Sequence, residues 1–140
     1  STAVLANPTS VSPTFTVDRA GDYVVQLIVN DGTVNSAPDS ATISTGNVPP
    51  VANAGPNQGG NLPEALITLN GSASTDPNSD PLTYSWTFVS TPAGSTAVLA
   101  NPTSVSPTFT VDLTGEYVVQ LIVNDGTVLS APDSVTITAN

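Results

Sequence analysis

The 140-residue chain has no cysteine, histidine, methionine or lysine, and Arg19 is its single basic residue against eleven acidic ones. The lack of cysteine excludes a disulfide framework and thiol chemistry. Nucleic acids and anionic membrane surfaces are bound by clustered Lys and Arg, so a net charge of -10 excludes both kinds of partner. No apolar run reaches the roughly 18 to 20 residues that a membrane helix needs, and we expect no membrane insertion of this segment.

Catalytic side chains are scarce for the same reason. Without His, Lys or Cys, most general bases and nucleophiles are missing. A pair of carboxylates on either side of a substrate cleft would serve glycoside hydrolysis, but the acidic residues of this chain lie in segments typical of turns. We therefore predict that the chain is not an enzyme.

The sequence does contain a long internal repeat. Residues 1–46 match residues 95–140 at an offset of 94, and eight positions differ. These are Arg19/Leu113, Ala20/Thr114, Asp22/Glu116, Asn35/Leu129, Ala41/Val135, Ser44/Thr138, Thr45/Ala139 and Gly46/Asn140. So little divergence is typical of a tandem array. A unit of 94 residues gives a complete domain at 47–140 and the C-terminal half of another at 1–46, and we expect the chain to be a window on a longer protein.

Alternating hydrophobicity predicts β-strands. In Leu82–Phe88 the apolar residues occupy every second position, which is the period of a strand with one buried face. Similar alternation occurs at 65–71, 107–111, 117–124 and 134–139, between turn sequences such as Asn-Pro and Asp-Gly. No segment combines helical spacing with caps. The predicted fold is all-β, a β-sandwich of about seven strands per repeat.

A tyrosine corner makes this sandwich immunoglobulin-like. Asp112, Gly115 and Tyr117 have the Asp-x-x-Gly-x-Tyr spacing in which the tyrosine hydroxyl bonds back to nearby backbone. The other copy has the same spacing at Asp18, Gly21 and Tyr23.

Several motifs together resemble the PKD (polycystic kidney disease-type) domain family. They lie at Pro49–Gly55, Leu69–Pro77, Asp80–Trp86 and Gly115–Gly126. After Trp86 the family often has Phe-Gly-Asp-Gly, whereas here Val89 follows Phe88, which looks like the longer bacterial variety found in tandem in surface or secreted proteins. The resemblance implies an immunoglobulin-like β-sandwich that acts as a non-catalytic spacer or adhesion module, extracellular or at the cell surface.

One loop has the pattern of a metal site. Asp76, Asn78 and Asp80 place side-chain oxygens at alternate positions, as in the first part of a Ca²⁺ loop. If Val51 starts the first strand and Leu66 lies on the second, antiparallel one, Asn47 and Asp125 lie at the same pole, so we predict a Ca²⁺ site formed by these five residues. In the alternative interpretation the Asp-Pro and Asp-Gly steps only form turns. The spacing alone is compatible with both interpretations.

The isolated half-repeat has an energetic problem. Its six predicted core residues are Phe15, Val17, Val25, Leu27, Val29 and Ile43. Without partner strands they forfeit on the order of 10 kcal/mol, which is comparable to the stability of a whole domain. The half therefore completes a domain with upstream sequence, inserts into another chain, or takes residues 47–94 from 95–140. We expect 95–140 to keep them, because Val135 fills the core better than Ala41.

The favoured function is a spacer or adhesion segment of a long tandem-repeat protein, whose partners are neighbouring repeats. The alternative is a filament or homo-oligomer in which half-domains complete one another by strand exchange. A polysaccharide-binding accessory module of a secreted enzyme is the third candidate.

Overall fold

The computed structural model describes residues 1–140, which form eight β-strands and no helix. It contains no helix with the length and apolarity needed to cross a bilayer. The chain divides into two compact units, Ser1–Asn47 and Val48–Asn140, at a boundary one residue from the predicted one. The all-β prediction is confirmed.

The first unit contains one antiparallel strand pair. Strand β1 (Gly21–Leu27) pairs with β2 (Asp39–Thr45), and Gly21 lies opposite Thr45. Ala6 and Thr14 form an isolated bridge in the preceding segment. The pair has no third strand, because β1 and β2 make up a two-stranded sheet.

The second unit contains six strands. They are β3 (Gln58–Asn61), β4 (Leu66–Thr68), β5 (Thr83–Ser90), β6 (Thr108–Thr110), β7 (Gly115–Asn124) and β8 (Asp133–Ala139). One sheet has the order β3-β8-β7-β5, and the other pairs β4 with β6. Val51 adds isolated bridges to Thr75 and Ala131, so the predicted first strand is reduced to a single bridging residue.

The core of the second unit draws on both sheets. Alternate residues of β7, from Tyr117 to Val123, are completely buried, as the period of two predicts. From the other sheet, Phe109 packs with its ring centroid 5.1 Å from that of Phe88 and 5.5 Å from that of Tyr117. Trp86 on β5 is 2% exposed and lies opposite Leu121 of β7. The two sheets therefore pack face to face as a sandwich.

Gly71 shows how closely this core is packed. A Cβ atom at this position would lie 3.1 Å from side-chain atoms of both Leu121 and Trp86. Those distances are shorter than ordinary van der Waals contact, so the absence of a side chain lets the Asn-Gly-Ser turn approach the core.

Candidate functional site: the tyrosine corners, the acidic pole and the open face

The predicted tyrosine corner is present in the second unit. The Tyr117 hydroxyl is 2.7 Å from Asp112 Oδ1, to which it donates, and it accepts a hydrogen bond from the Leu113 amide at 2.9 Å. The Asp112 carboxylate also accepts from the Ser95 hydroxyl at 2.6 Å and from the Thr96 amide at 2.5 Å. The corner therefore ties the start of residues 95–140 to the end of β6 and the beginning of β7.

Neutral donors stabilise this carboxylate without a basic partner. The Ser95 hydroxyl, followed by the Tyr117 hydroxyl and the Thr96 amide, holds the pKa of Asp112 well below its ordinary value of 3.8. The sequence predicted the tyrosine but not the serine. A signal was available, because each copy begins with Ser-Thr-Ala at the same distance before its aspartate.

The first unit builds the same corner. Tyr23 donates to Asp18 at 2.8 Å, and Ser1 donates to the same carboxylate at 2.7 Å. The Thr2 amide also donates to Asp18. These bonds, with that of the Ser1 hydroxyl first, lower the pKa of Asp18 from its ordinary value. All of these partners lie within residues 1–46, so the corner does not depend on the rest of a domain.

The predicted Ca²⁺ ligands of the second unit lie at one end of its larger sheet. Asp125 directly follows Asn124, which pairs with Thr83, and Asp80 precedes that strand by three residues. Asn78 accepts a hydrogen bond from the Val48 amide at 2.7 Å. Asn47, the fifth predicted ligand, is the last residue of the first unit.

Much of this acidic pole is engaged in turns. Asp76 Oδ1 accepts from the Asn78 and Asp80 amides at 2.8 and 2.9 Å, and Asp125 Oδ1 accepts from the Thr127 and Val128 amides at 2.7 Å. These are the bonds expected of turn-forming aspartates. No group of three or more acidic side chains is close enough to hold a metal ion. In contrast, Asp76 Oδ2 is buried and accepts no hydrogen bond.

The most distinctive surface is an open apolar face on the first unit. Leu27 is 61% exposed and Val29 is 56% exposed, whereas their counterparts in the second unit, Leu121 and Val123, are completely buried. Four of the six residues that the sequence predicted as core, Phe15, Val25, Leu27 and Val29, line grooves on this face. The first unit thus exposes apolar residues whose counterparts form the core of the second unit.

Two grooves indent the open face. The first, about 280 Å³ in volume, is lined by residues that include Leu5, Phe15, Tyr23 and Val25, and we call it the Phe groove. The second, about 630 Å³, has a lining that includes Pro8, Ser10, Leu27 and Val29, and we call it the Trp groove. The names refer to the side chains that fill the equivalent places in the second unit.

The fold and the corner define the second unit as an immunoglobulin-like β-sandwich. The family model described as K319L-like, PKD domain, matches residues 54–139, which is more than half of the chain. The chain belongs to the PKD-domain family.

The chain is also similar in sequence to two curated mammalian proteins. The mouse dyslexia-associated protein KIAA0319-like protein is 34% identical over 120 residues, covering 84% of this chain and 11% of that protein. Human dyslexia-associated protein KIAA0319 is 34% identical over 108 residues, covering 75% of this chain and 10% of that protein. The chain thus spans about a tenth of the length of these relatives. Both are mammalian, and the bacterial variety stays a prediction.

Solved structures agree with the fold. The PKD domain from the KIAA 1837 protein is 33% identical with a TM-score of 0.55, covering 69% of this chain and 91% of that one. The PKD domain of human KIAA0319 is 18% identical with a TM-score of 0.53, covering 65% of this chain and 80% of that one, and it supports the fold alone.

Proposed function

We propose that this chain is part of a tandem array of PKD domains that serves outside the cell as a non-catalytic spacer or adhesion segment. The observation that carries the proposal is the near-identity of residues 1–46 and 95–140, which form the same strand pair and the same corner. Repetition of one folding unit extends reach without requiring new chemistry.

The use of aromatic residues supports a structural role. Tyr84, Trp86 and Phe88 are buried or packed against the core of the second unit. Tyr117 is committed to its corner. Aromatic platforms for sugar rings are therefore not supplied by these residues, and no observation favours the polysaccharide-binding role over the spacer.

Solution scattering on chains of one, two, three and four copies of residues 47–140 tests the spacer role. A stiff array lengthens in proportion to the number of copies, whereas flexibly jointed domains lengthen roughly as its square root. We expect proportional growth, because Pro49 and Pro50 restrict the linker. The matched control replaces both prolines by glycine, and equal square-root growth in both series would reject a stiff spacer.

We also propose that the acidic pole of the second unit binds Ca²⁺ through Asp76, Asn78 and one further carboxylate, that of Asp80 or of Asp125. The buried Asp76 Oδ2, which accepts no hydrogen bond, favours this role. Amide and backbone oxygens would have to complete the coordination, as they often do for Ca²⁺.

Thermal unfolding in Ca²⁺ and in chelator tests the site. At a free Ca²⁺ concentration a hundred times the dissociation constant, one bound ion stabilises the folded state by about 2.7 kcal/mol. The melting temperature should therefore rise when Ca²⁺ is added. The matched variant is Asp76→Asn, which keeps an oxygen for the turn but removes the anionic ligand. Identical melting of the unsubstituted chain in Ca²⁺ and chelator would eliminate the site.

A further inference from the structure

The open face of the first unit has an unpaired strand edge. In the second unit, β7 pairs with β8 on one side and with β5 on the other. Strand β1 is the counterpart of β7, and it pairs only with β2. Its other edge therefore presents backbone donors and acceptors in the position where β7 receives β5, which is a template for adding one strand.

The Phe groove corresponds to the position that the Phe88 side chain occupies in the second unit. In the second unit, the Phe88 ring centroid lies 5.1 Å from that of Phe109 and 6.3 Å from that of Tyr117. The counterparts of those two residues, Phe15 and Tyr23, line the Phe groove. An aromatic ring there would restore the three-ring cluster of the complete domain.

The Trp groove corresponds to the position that the Trp86 side chain occupies in the second unit. The Trp86 amide donates to the Pro102 carbonyl at 2.9 Å, and the indole Nε1–H donates to the Ser104 carbonyl at 3.1 Å. Pro8 and Ser10 are the counterparts of those acceptors, and both line the Trp groove. The groove thus offers both an apolar floor and the acceptors that a tryptophan needs.

The two grooves and the strand edge specify one occupant. We propose that the open face binds the front half of a further PKD repeat, equivalent to residues 48–94, whose Trp-x-Phe strand pairs with β1 and fills both grooves. In the same polypeptide, this front half would be joined to Ser1 as Gly94 is joined to Ser95. The Ser1 hydroxyl donates to Asp18 as the Ser95 hydroxyl donates to Asp112. The residue that would follow the front half is therefore held in the same way in both units.

A second copy of residues 1–140 does not supply this occupant by strand exchange. Each copy contains two back halves, 1–46 and 95–140, but one front half, 48–94. However these halves are exchanged, one back half per chain stays uncovered, and the number of complete domains does not increase. Exchange therefore buries no additional domain core, whereas one extra front half covers the open face.

Amide hydrogen exchange on an extended chain tests the proposal. A copy of residues 47–94 is added before Ser1 of the full chain, and protection of the β1 amides is compared with and without it. We expect protection to rise on the order of a thousandfold, toward that of β7, because β1 would then open only with a complete domain. The β7 amides of the same molecule report that the chain has folded.

The matched control carries W86A and F88A in the added copy alone. We expect these changes to abolish most of the gain, since both grooves lose their occupants. Unchanged β1 protection in the extended chain would overturn the proposal, as would equal protection with and without the two aromatic residues. Protection of β1 in the 140-residue chain at high concentration, with a dimer in solution, would also overturn it by identifying a second copy as the occupant.

Because this partner is the front half of another repeat, the proposal rests on the tandem organisation proposed above. The two tests can fail separately. Protected β1 amides combined with square-root growth of the array would reject the stiff spacer and support this interface. Proportional growth of the array combined with unprotected β1 amides would support the stiff spacer and reject this interface.

Discussion

The two units contain nearly the same 46 residues in two different environments. Leu27 and Leu121 have the same neighbours in sequence, Gln before and Ile after, and both strand pairs have the same register. Leu121 is completely buried, while Leu27 is 61% exposed. Residues 48–94 account for the difference, because they cover only the second copy. Burial of this face is therefore a property of the complete sandwich and not of the half that carries it.

The corners show the opposite behaviour. Tyr23 and Tyr117 make the same hydrogen bonds to an aspartate of their own unit, and a serine at the start of each copy bonds to that aspartate. These contacts span no more than 17 residues of sequence. Interactions local to the half survive without the front half, whereas the packing of the face does not.

The largest expected difference between the units is in amide hydrogen exchange. Amides of β7 and β8 should exchange through global unfolding, whereas those of β1 and β2 lack a packed core and should exchange on the order of a thousand times faster. Exchange followed by NMR on the 140-residue chain measures both. Equal protection of β1 and β7 would show that the open face is covered in solution.

Paired leucine substitutions sharpen the comparison. Leu121→Ala removes a buried side chain and should lower the free energy of unfolding of the second unit by about 2 to 5 kcal/mol. Leu27→Ala should change it by less than about 0.5 kcal/mol. Trp86 is the only tryptophan, so denaturant unfolding followed by its fluorescence reports on the second unit. A comparable loss from both substitutions would contradict the division into independent environments.

Paired glycine substitutions should have a smaller effect. A Cβ atom on Gly115 would lie 2.9 Å from Pro92 Cγ, whereas one on Gly21 would have no neighbour within 4 Å. Gly115→Ala should therefore destabilise the second unit by about 1 to 3 kcal/mol, and Gly21→Ala should leave its unfolding unchanged. Adding Pro92→Ala to Gly115→Ala should recover part of the loss. If it recovers none, the positive φ of 130° at Gly115 is the cause instead.

The smallest predicted effect is a pH dependence. Because the folded-state pKa of Asp112 lies below its ordinary value of 3.8, the carboxylate stabilises the second unit above about that pH, and this contribution is lost as the pH falls further. The stability difference between the unsubstituted chain and Asp112→Asn should shrink from about pH 5 to about pH 2. Asp18→Asn should leave the Trp86 transition unchanged at every pH. If the stability difference between the unsubstituted chain and Asp112→Asn does not change with pH, the ionised Asp112 carboxylate does not stabilise the second unit.

Several elements of the fold were predictable because they depend on local sequence. Alternation at 82–88 placed Trp86 inside β5, and the Asp-x-x-Gly-x-Tyr spacing identified both corners, which the structure confirms. The strand predicted at Val51 appears as isolated bridges, since only that residue pairs with its neighbours. The Ser95 bond to Asp112 was missed because it joins residues 17 positions apart, beyond the range of turn patterns.

The candidate site was less accessible to sequence reasoning. The spacing of Asp76, Asn78 and Asp80 suits both a Ca²⁺ loop and a turn, and only the structure shows that one oxygen of Asp76 accepts two amides while the other is buried without a hydrogen bond. The two grooves needed the structure as well, since each combines residues that are distant in sequence.

The sequence by itself determined the repeat, the strand periodicity, the corners and the set of core-facing residues, because each follows from local spacing and hydrophobic pattern. Only the tertiary structure decided which back half receives the front half. The two copies differ in that core by about two methyl groups, at Ala41 and Val135, so the sequence separates the two pairings only weakly. In the structure β5 pairs with β7, and β1 keeps an open edge, because long-range strand pairing depends on the assembly of the whole sandwich.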